Sequence, residues 1–137
     1  MSVLYLDASA ITKLLIAEPE SETLLSAVRG NTLISSRVVV VEVGKAVARA
    51  DPSVDPQPVL ARVAFIELDA DLAQIAGGTG SAALRALDAI HVASALRVGG
   101  EIAAFVTYDD RQASAARSAG LTVVRPELTP GAEWHFR

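Results

Sequence analysis

The feature that most constrains the fold is an alternation. Five short apolar runs recur along the chain, at Val3–Asp7 (VLYLD), Thr32–Ser35, Ala64–Leu68, Ala103–Thr107 and Leu121–Val124, and helical patterns lie between them. Runs that are apolar throughout read as strands buried on both faces, and strands alternating with helices imply a mostly parallel sheet. The expected helices are Ser9–Ala17, Pro19–Val28, Arg37–Ala50, a short one near Val59–Val63, Asp69–Ala76, Ala82–Val98 and Arg111–Ala119. Arg37–Ala50 is ambiguous by propensity because of its valine run. Its length, its Ala-rich second half and the stop at Pro52 favour helix. DPSVDPQP at Asp51–Pro58 reads as a connector. GGTGS at Gly77–Ser81 ends one helix, and Ser81 is the expected cap of the long helix that follows. The chain is read as one domain, residues 1–137, with an irregular tail from about residue 126.

Composition removes several function classes. Hydrophobic residues make up 51% of the 137 positions and mean hydropathy is +0.38, so there is ample material for a core. No apolar run approaches the roughly 18 residues of a membrane span. Asp7 falls where the apolar part of a secretory signal would lie, so the expected setting is cytoplasmic, with no membrane. The absence of Cys excludes disulfides, thiolate zinc sites and cysteine nucleophiles. The two histidines, His91 and His135, cannot form an H-E-x-x-H zinc motif. A 4% aromatic content is too sparse for a platform that stacks nucleic-acid bases. The net charge of −4 runs against phosphate binding, but net charge governs steering and solubility rather than a local site.

The placement of the acids is more informative. Asp7 ends the first expected strand, and Asp109 and Asp110 follow the fourth. Ligands of open α/β sheets bind beyond the carboxyl ends of strands, although an aspartate there also serves as a helix cap. Asp88 and Glu42 lie inside expected helices. Asp88 has Leu84 and Val92 at i±4, while Glu42 has Val38 and Ala46. An unpaired charge on such a face is costly, so each must be protonated, bound to a cation or paired with a base such as Lys45, Arg49 or Arg85. Four carboxylates can converge on one cleft. With neither Cys nor clustered His, an all-oxygen site points to Mg²⁺ or Mn²⁺ rather than Zn²⁺.

Four segments, YLDASAITKLL, SRVVVVEVGKAVAR, LRALDAIHVASAL and FVTYDDR, together resemble the PIN-domain ribonucleases, and within them the VapC-type toxins of bacterial toxin–antitoxin pairs. The resemblance spans Tyr5 to Arg111, and LDAIHVASAL is its most specific part. It implies a three-layer α/β/α domain with a five-stranded sheet in the order 3-2-1-4-5. It places the family's acidic quartet on Asp7, Glu42, Asp88 and Asp109, and its hydroxyl positions on Ser9 and Thr107. It also implies an RNA substrate, an antitoxin partner lying along the first two helices, and a homodimer.

The expected reaction is hydrolysis of RNA phosphodiesters by a metal-activated water, with Mg²⁺ or Mn²⁺ on Asp7, Asp88 and Asp109. Glu42 is either a further ligand or the group that orients the water. Ser9 and Thr107 are expected to hydrogen-bond the ligands from behind. Asp110 either joins them or caps a helix. Lys13, Arg85 and Arg111 are candidates for contacts to the RNA backbone. A phosphoacceptor receiver domain fits less well, because Arg125 stands where its Lys is expected. A haloacid-dehalogenase-type phosphatase would need Asp at Ser9, and GGTGS lacks the Lys of a phosphate-binding loop. The remaining alternative is a catalytically silent PIN-like domain that binds protein or RNA.

Overall fold

The computed structural model describes residues 1–127. Strands β1 (Val3–Leu6), β2 (Thr32–Ser36), β3 (Val63–Ile66), β4 (Ile102–Val106) and β5 (Val123–Val124) form one sheet in the order β3-β2-β1-β4-β5. Every adjacent pair is parallel. Helices α1 (Ala8–Leu15), α2 (Ser21–Val28), α3 (Val39–Ala50), α4 (Gln57–Leu60), α5 (Ala70–Gly77), α6 (Ala86–Val98) and α7 (Asp110–Ser118) occupy the connections. The expected three-layer α/β/α order is therefore present. The expected irregular tail lies, from residue 128 onward, outside the described residues.

The period-2 geometry of the strands divides the core. Leu4, Leu6, Leu33, Val63, Ala104 and Val106 point to the face covered by α1–α4. Tyr5, Ile34 and Phe105 point to the other, where Val92 and Ala95 of α6 and Ala116 of α7 cover them. The ambiguous valine segment is a helix because Val39, Val43 and Val47 fall on one buried stripe. Each buried valine contributes about 1.5–3 kcal/mol, which outweighs the small intrinsic penalty of β-branching in a helix. Helix α4 starts at Gln57, two residues before the expected helix, with Pro58 tolerated in its first turn.

One expectation is corrected. Helix α6 begins at Ala86 rather than Ala82, and Ser81 does not cap it. Instead the Leu84 amide donates to the Ser81 carbonyl (3.0 Å), closing a turn, and Arg85 stays extended at the helix start. Gly80 makes this turn possible: its φ is +73°, and a Cβ there would meet Leu84 Cδ2 at 2.6 Å. Most apolar residues of the first two helices, along which the resemblance implies an antitoxin, belong to the core. Ile11 and Leu24 are fully buried, Val28 nearly so, and Leu14 and Leu15 pack against the same core, leaving Leu25 as the exposed member.

Strands are added outward from β1 in one direction as far as β3, and then in the other from β4. The carboxyl ends of β1 and β4 therefore flank the point where the order reverses, which is where such sheets form a crevice.

Candidate active site

The four acids share one structural origin: each sits at the start of a helix. Asp7 caps α1, accepting the Ala10 amide at 3.1 Å. Asp109 caps α7 through the Arg111 and Gln112 amides, at 2.9 and 3.0 Å. Glu42 and Asp88 lie in the first turns of α3 and α6. The partial positive charge of a helix N-terminus favours each carboxylate. The later start of α6 also changes the account of Asp88: it is a first-turn residue, half-buried, rather than one in the middle of an apolar stripe.

Asp7 is the deepest of the four, 4% exposed. Its Oδ1 accepts Ser9 Oγ at 2.6 Å, and its Oδ2 accepts Thr107 Oγ1 at 2.5 Å. Both hydroxyls also accept backbone amides, Ser9 from Tyr108 (2.8 Å) and Thr107 from Asp109 (3.1 Å). With those amides approaching from the other side, the hydroxyl hydrogens are left to point at Asp7. Burial nevertheless raises the Asp7 carboxyl above its ordinary range, with the Ser9 and Thr107 hydrogen bonds opposing that rise. Asp88 is raised too, first by burial and then by the negative charge of Asp109, with Glu42 adding to it.

Hydrogen bonds link the acids in pairs. Thr107 joins Asp7 to the Asp109 backbone. Gln112, buried, donates its backbone amide to Asp109 Oδ1 and its side-chain Nε2 to the Asp88 carbonyl at 3.3 Å. Glu42 is tied through Oε1 to His91 Nε2 at 2.6 Å. Thus Glu42 is paired with none of Lys45, Arg49 or Arg85. Its partner is a histidine one helical turn beyond Asp88, and Tyr5 Oη lies 2.7 Å from the other ring nitrogen. Tyr5, His91 and Gln112 were not among the expected site residues. The i+3 step from Asp88 to His91 was the available signal.

The remaining candidates divide. Asp110 is neither a cap nor a partner of the buried acids; it is 91% exposed and pairs with Arg125 at 2.7 Å. Lys13 is not an open cation either. It is ion-paired with Glu18 and with Glu20 (3.2 Å), and it lies over the Tyr108 ring. Arg85 and Arg111 are exposed and line a cleft of about 720 Å³ together with Asp88, Ser114 and Ser118. A second groove, about 780 Å³, runs past Ser9 and Glu42 between α1 and α3.

Among the described residues, no three His, Cys, Asp or Glu side chains are drawn together closely enough to enclose a metal ion. The donor chemistry still suits a hard cation. The carboxylates offer oxygen only, and those around Asp88 repel one another. His91 is committed on both ring nitrogens. A closed cage is not required, because Mg²⁺ is commonly held by one or two carboxylates, waters and substrate phosphates.

Comparison with known proteins agrees with this architecture. The PIN domain model matches residues 4–118. Ribonuclease VapC46 of Mycobacterium tuberculosis is 37% identical over 129 residues, covering 92% of this chain and 99% of that protein. Ribonucleases VapC35 and VapC47 of the same organism are each 37% identical, covering 90% of this chain and 97% of theirs. The crystal structure of VapC20 from Mycobacterium tuberculosis, described as a Sarcin-Ricin loop cleaving toxin, aligns with a TM-score of 0.65. At 19% identity over 90% of this chain and 99% of that one, it supports the fold. The extent of the family match and of these relatives' similarity shows that the chain belongs to the PIN-domain family.

Proposed function

We propose that this protein is a metal-dependent endoribonuclease and the toxin of a toxin–antitoxin pair. The observation that carries the reading is that Asp7 and Asp109 stand at the carboxyl ends of β1 and β4, with Asp109 and Glu42 near enough to Asp88 for their charges to raise its carboxyl, in a chain whose relatives are named ribonucleases. Bare carboxylates repel a phosphodiester, so the site requires a cation between them and the substrate.

Asp7, Asp88 and Asp109 are the residues that would hold Mg²⁺ or Mn²⁺. When bound, such a cation neutralises phosphoryl charge and acidifies a water. The protein's own groups do the positioning. Ser9 and Thr107 fix Asp7 in direction and oppose the rise that burial imposes on its carboxyl, since both donate to it. Glu42 accepts a proton from the attacking water or orients it. Arg85 and Arg111, at the cleft beside Asp88, hold the RNA backbone by its phosphates.

The antitoxin belongs along α1, on the groove between α1 and α3. Val41 (66% exposed) and Leu87 (45%) offer its apolar surface, with Lys45 and Arg49 at its rim to receive acidic residues. Homodimerisation and residence in the cytoplasm are part of the same proposal. Ile75 and Leu96 on the packed helices α5 and α6 are exposed apolar side chains available for the dimer. Among the described residues, no helix is long and apolar enough to cross a membrane.

The test is cleavage of total RNA by purified protein with Mg²⁺, with Mn²⁺ and with chelator. Cleavage should require metal, and Asp7→Asn or Asp88→Asn should reduce it by more than about 100-fold, beyond the usual loss of a supporting partner, with circular dichroism unchanged. Undiminished cleavage in chelator, or full activity in either variant free of contaminating nuclease, overturns the assignment.

A further inference from the structure

We propose that Tyr5 and His91 are positioning residues that aim the Glu42 carboxylate, so that Glu42 works as the end of a three-residue hydrogen-bonded chain. This rests on the functional reading above and extends it to residues that touch neither metal nor RNA.

The geometry is specific. His91 is 2% exposed, and both of its ring nitrogens are engaged: Nδ1 by Tyr5 Oη at 2.7 Å and Nε2 by Glu42 Oε1 at 2.6 Å. Tyr5 is fully buried, and a phenol, with an ordinary pKa of about 10, keeps its proton at neutral pH. In the proposed chain the phenol donates to Nδ1. The ring proton then belongs on Nε2, where it is donated to Glu42. A single neutral tautomer satisfies all three side chains.

The chain is anchored at its far end. Tyr5 lies in β1, next to the sheet's reversal point, and stacks on Phe105 of β4 with centroids 4.8 Å apart and planes 12° apart. His91 meets Tyr5 edge-on at 84°. The direction of Glu42, which stands on a different helix, is thereby set by the same strand that ends at Asp7. Because Oε1 is taken by His91, Oε2 is the oxygen available to a water or substrate hydroxyl. An ordinary buried His–Glu pair would stabilise the fold, with no consequence specific to Glu42. That difference makes the two readings separable.

The experiment uses the full chain and two kinds of readout. In the metal-free protein, long-range ¹H–¹⁵N spectra should show His91 neutral with its proton on Nε2. The chain has two histidines, so the signal is readily assigned with a His91 variant. Tyr5→Phe and Glu42→Ala should each shift that signal. In RNA cleavage, His91→Ala should lower kcat by about 10- to 100-fold and leave KM unchanged. His91→Gln, whose amide still donates to Glu42, should recover most of the loss. Tyr5→Phe, which keeps the stack on Phe105, should show a smaller loss of the same kind. In a Glu42→Ala background, His91→Ala should cost nothing further.

Additive losses in that double variant overturn the proposal, as does a His91→Gln variant as impaired as His91→Ala. If the wild-type protein cleaves no RNA, the functional reading fails by itself and the spectra still decide the chain. A proton on Nδ1, or a His91 signal indifferent to Tyr5→Phe and Glu42→Ala, rules it out.

Discussion

Thr107 Oγ1 donates a 2.5 Å hydrogen bond to Asp7 Oδ2 across a sequence separation of 100 residues. The two residues sit at the ends of neighbouring parallel strands, β4 and β1, so the bond spans the crevice where the strand order reverses. Thr107 is fully buried and also accepts the amide of Asp109. One hydroxyl therefore sets both the direction of the deepest acid and the start of α7.

Thr107→Val is the nearly isosteric probe of that link. It removes the donor to a buried carboxylate and leaves the Asp109 amide short of an acceptor, so stability should fall by about 1–3 kcal/mol. RNA cleavage should fall by about 10- to 100-fold, the usual effect of losing a partner behind a metal ligand. Denaturant unfolding and cleavage rates measure the two effects. A variant equal to wild type in both would show that Asp7 is held by Ser9 alone.

Acidity provides a second prediction. The Asp7 and Asp88 carboxyls are both raised in the folded protein, chiefly by burial. Between the unfolded and folded pKa values, the native state retains protons that the unfolded state has released. Stability from these groups is therefore complete below the unfolded value and is lost as pH rises through the folded one. Thermal melts in chelator should accordingly show wild type losing stability over this acidic-to-neutral interval. Asp88→Asn should lose less. Added Mg²⁺ or Mn²⁺ should raise the wild-type melting temperature more than that of the variant, because ligand binding to the native state adds to its stability. A strongly destabilised Asp88→Asn in chelator would instead make Asp88 a structural anchor.

The third prediction concerns the groove beside Glu42. Val41 is 66% exposed in the first turn of α3, where a new carboxylate also suits the helix dipole. Val41→Asp should leave folding intact and weaken binding of the antitoxin, because it puts a negative charge on the apolar wall that the partner must cover. Binding to the product of the neighbouring antitoxin reading frame, measured by calorimetry, checks this. Affinity unchanged from wild type would place the partner elsewhere. Leu25, 42% exposed on α2, is then the next position to test.

Local pattern alone determined the strand–helix alternation, the parallel sheet and the helical state of the valine segment. It did so because runs apolar throughout, the Ala-rich second half of Arg37–Ala50 and the stop at Pro52 are properties of a few consecutive residues. The strand-end aspartates were legible for the same reason: a strand's carboxyl end is a local feature, and Asp7 and Asp109 stand there. The 3-2-1-4-5 order and the full acidic quartet came from resemblance to a family, not from local pattern.

Tertiary structure decided what each of these groups touches. Glu42 and His91 are 49 residues apart and Tyr5 and His91 are 86 apart, so no spacing rule links them. They meet because α3 and the central strand β1 converge on α6. The start of α6 also depended on the fold. Helical periodicity continues through Leu84 and Arg85, but a turn closed by the Leu84 amide on Ser81, with Gly80 at positive φ, delays the helix to Ala86. Lys13 was decided in the same way. On its own helix it looks like an open cation, and only the folded chain brings Glu18, Glu20 and the Tyr108 ring around it. Local sequence fixes backbone conformation over short range, whereas the partners of a polar side chain depend on chain segments brought together by burial of the core.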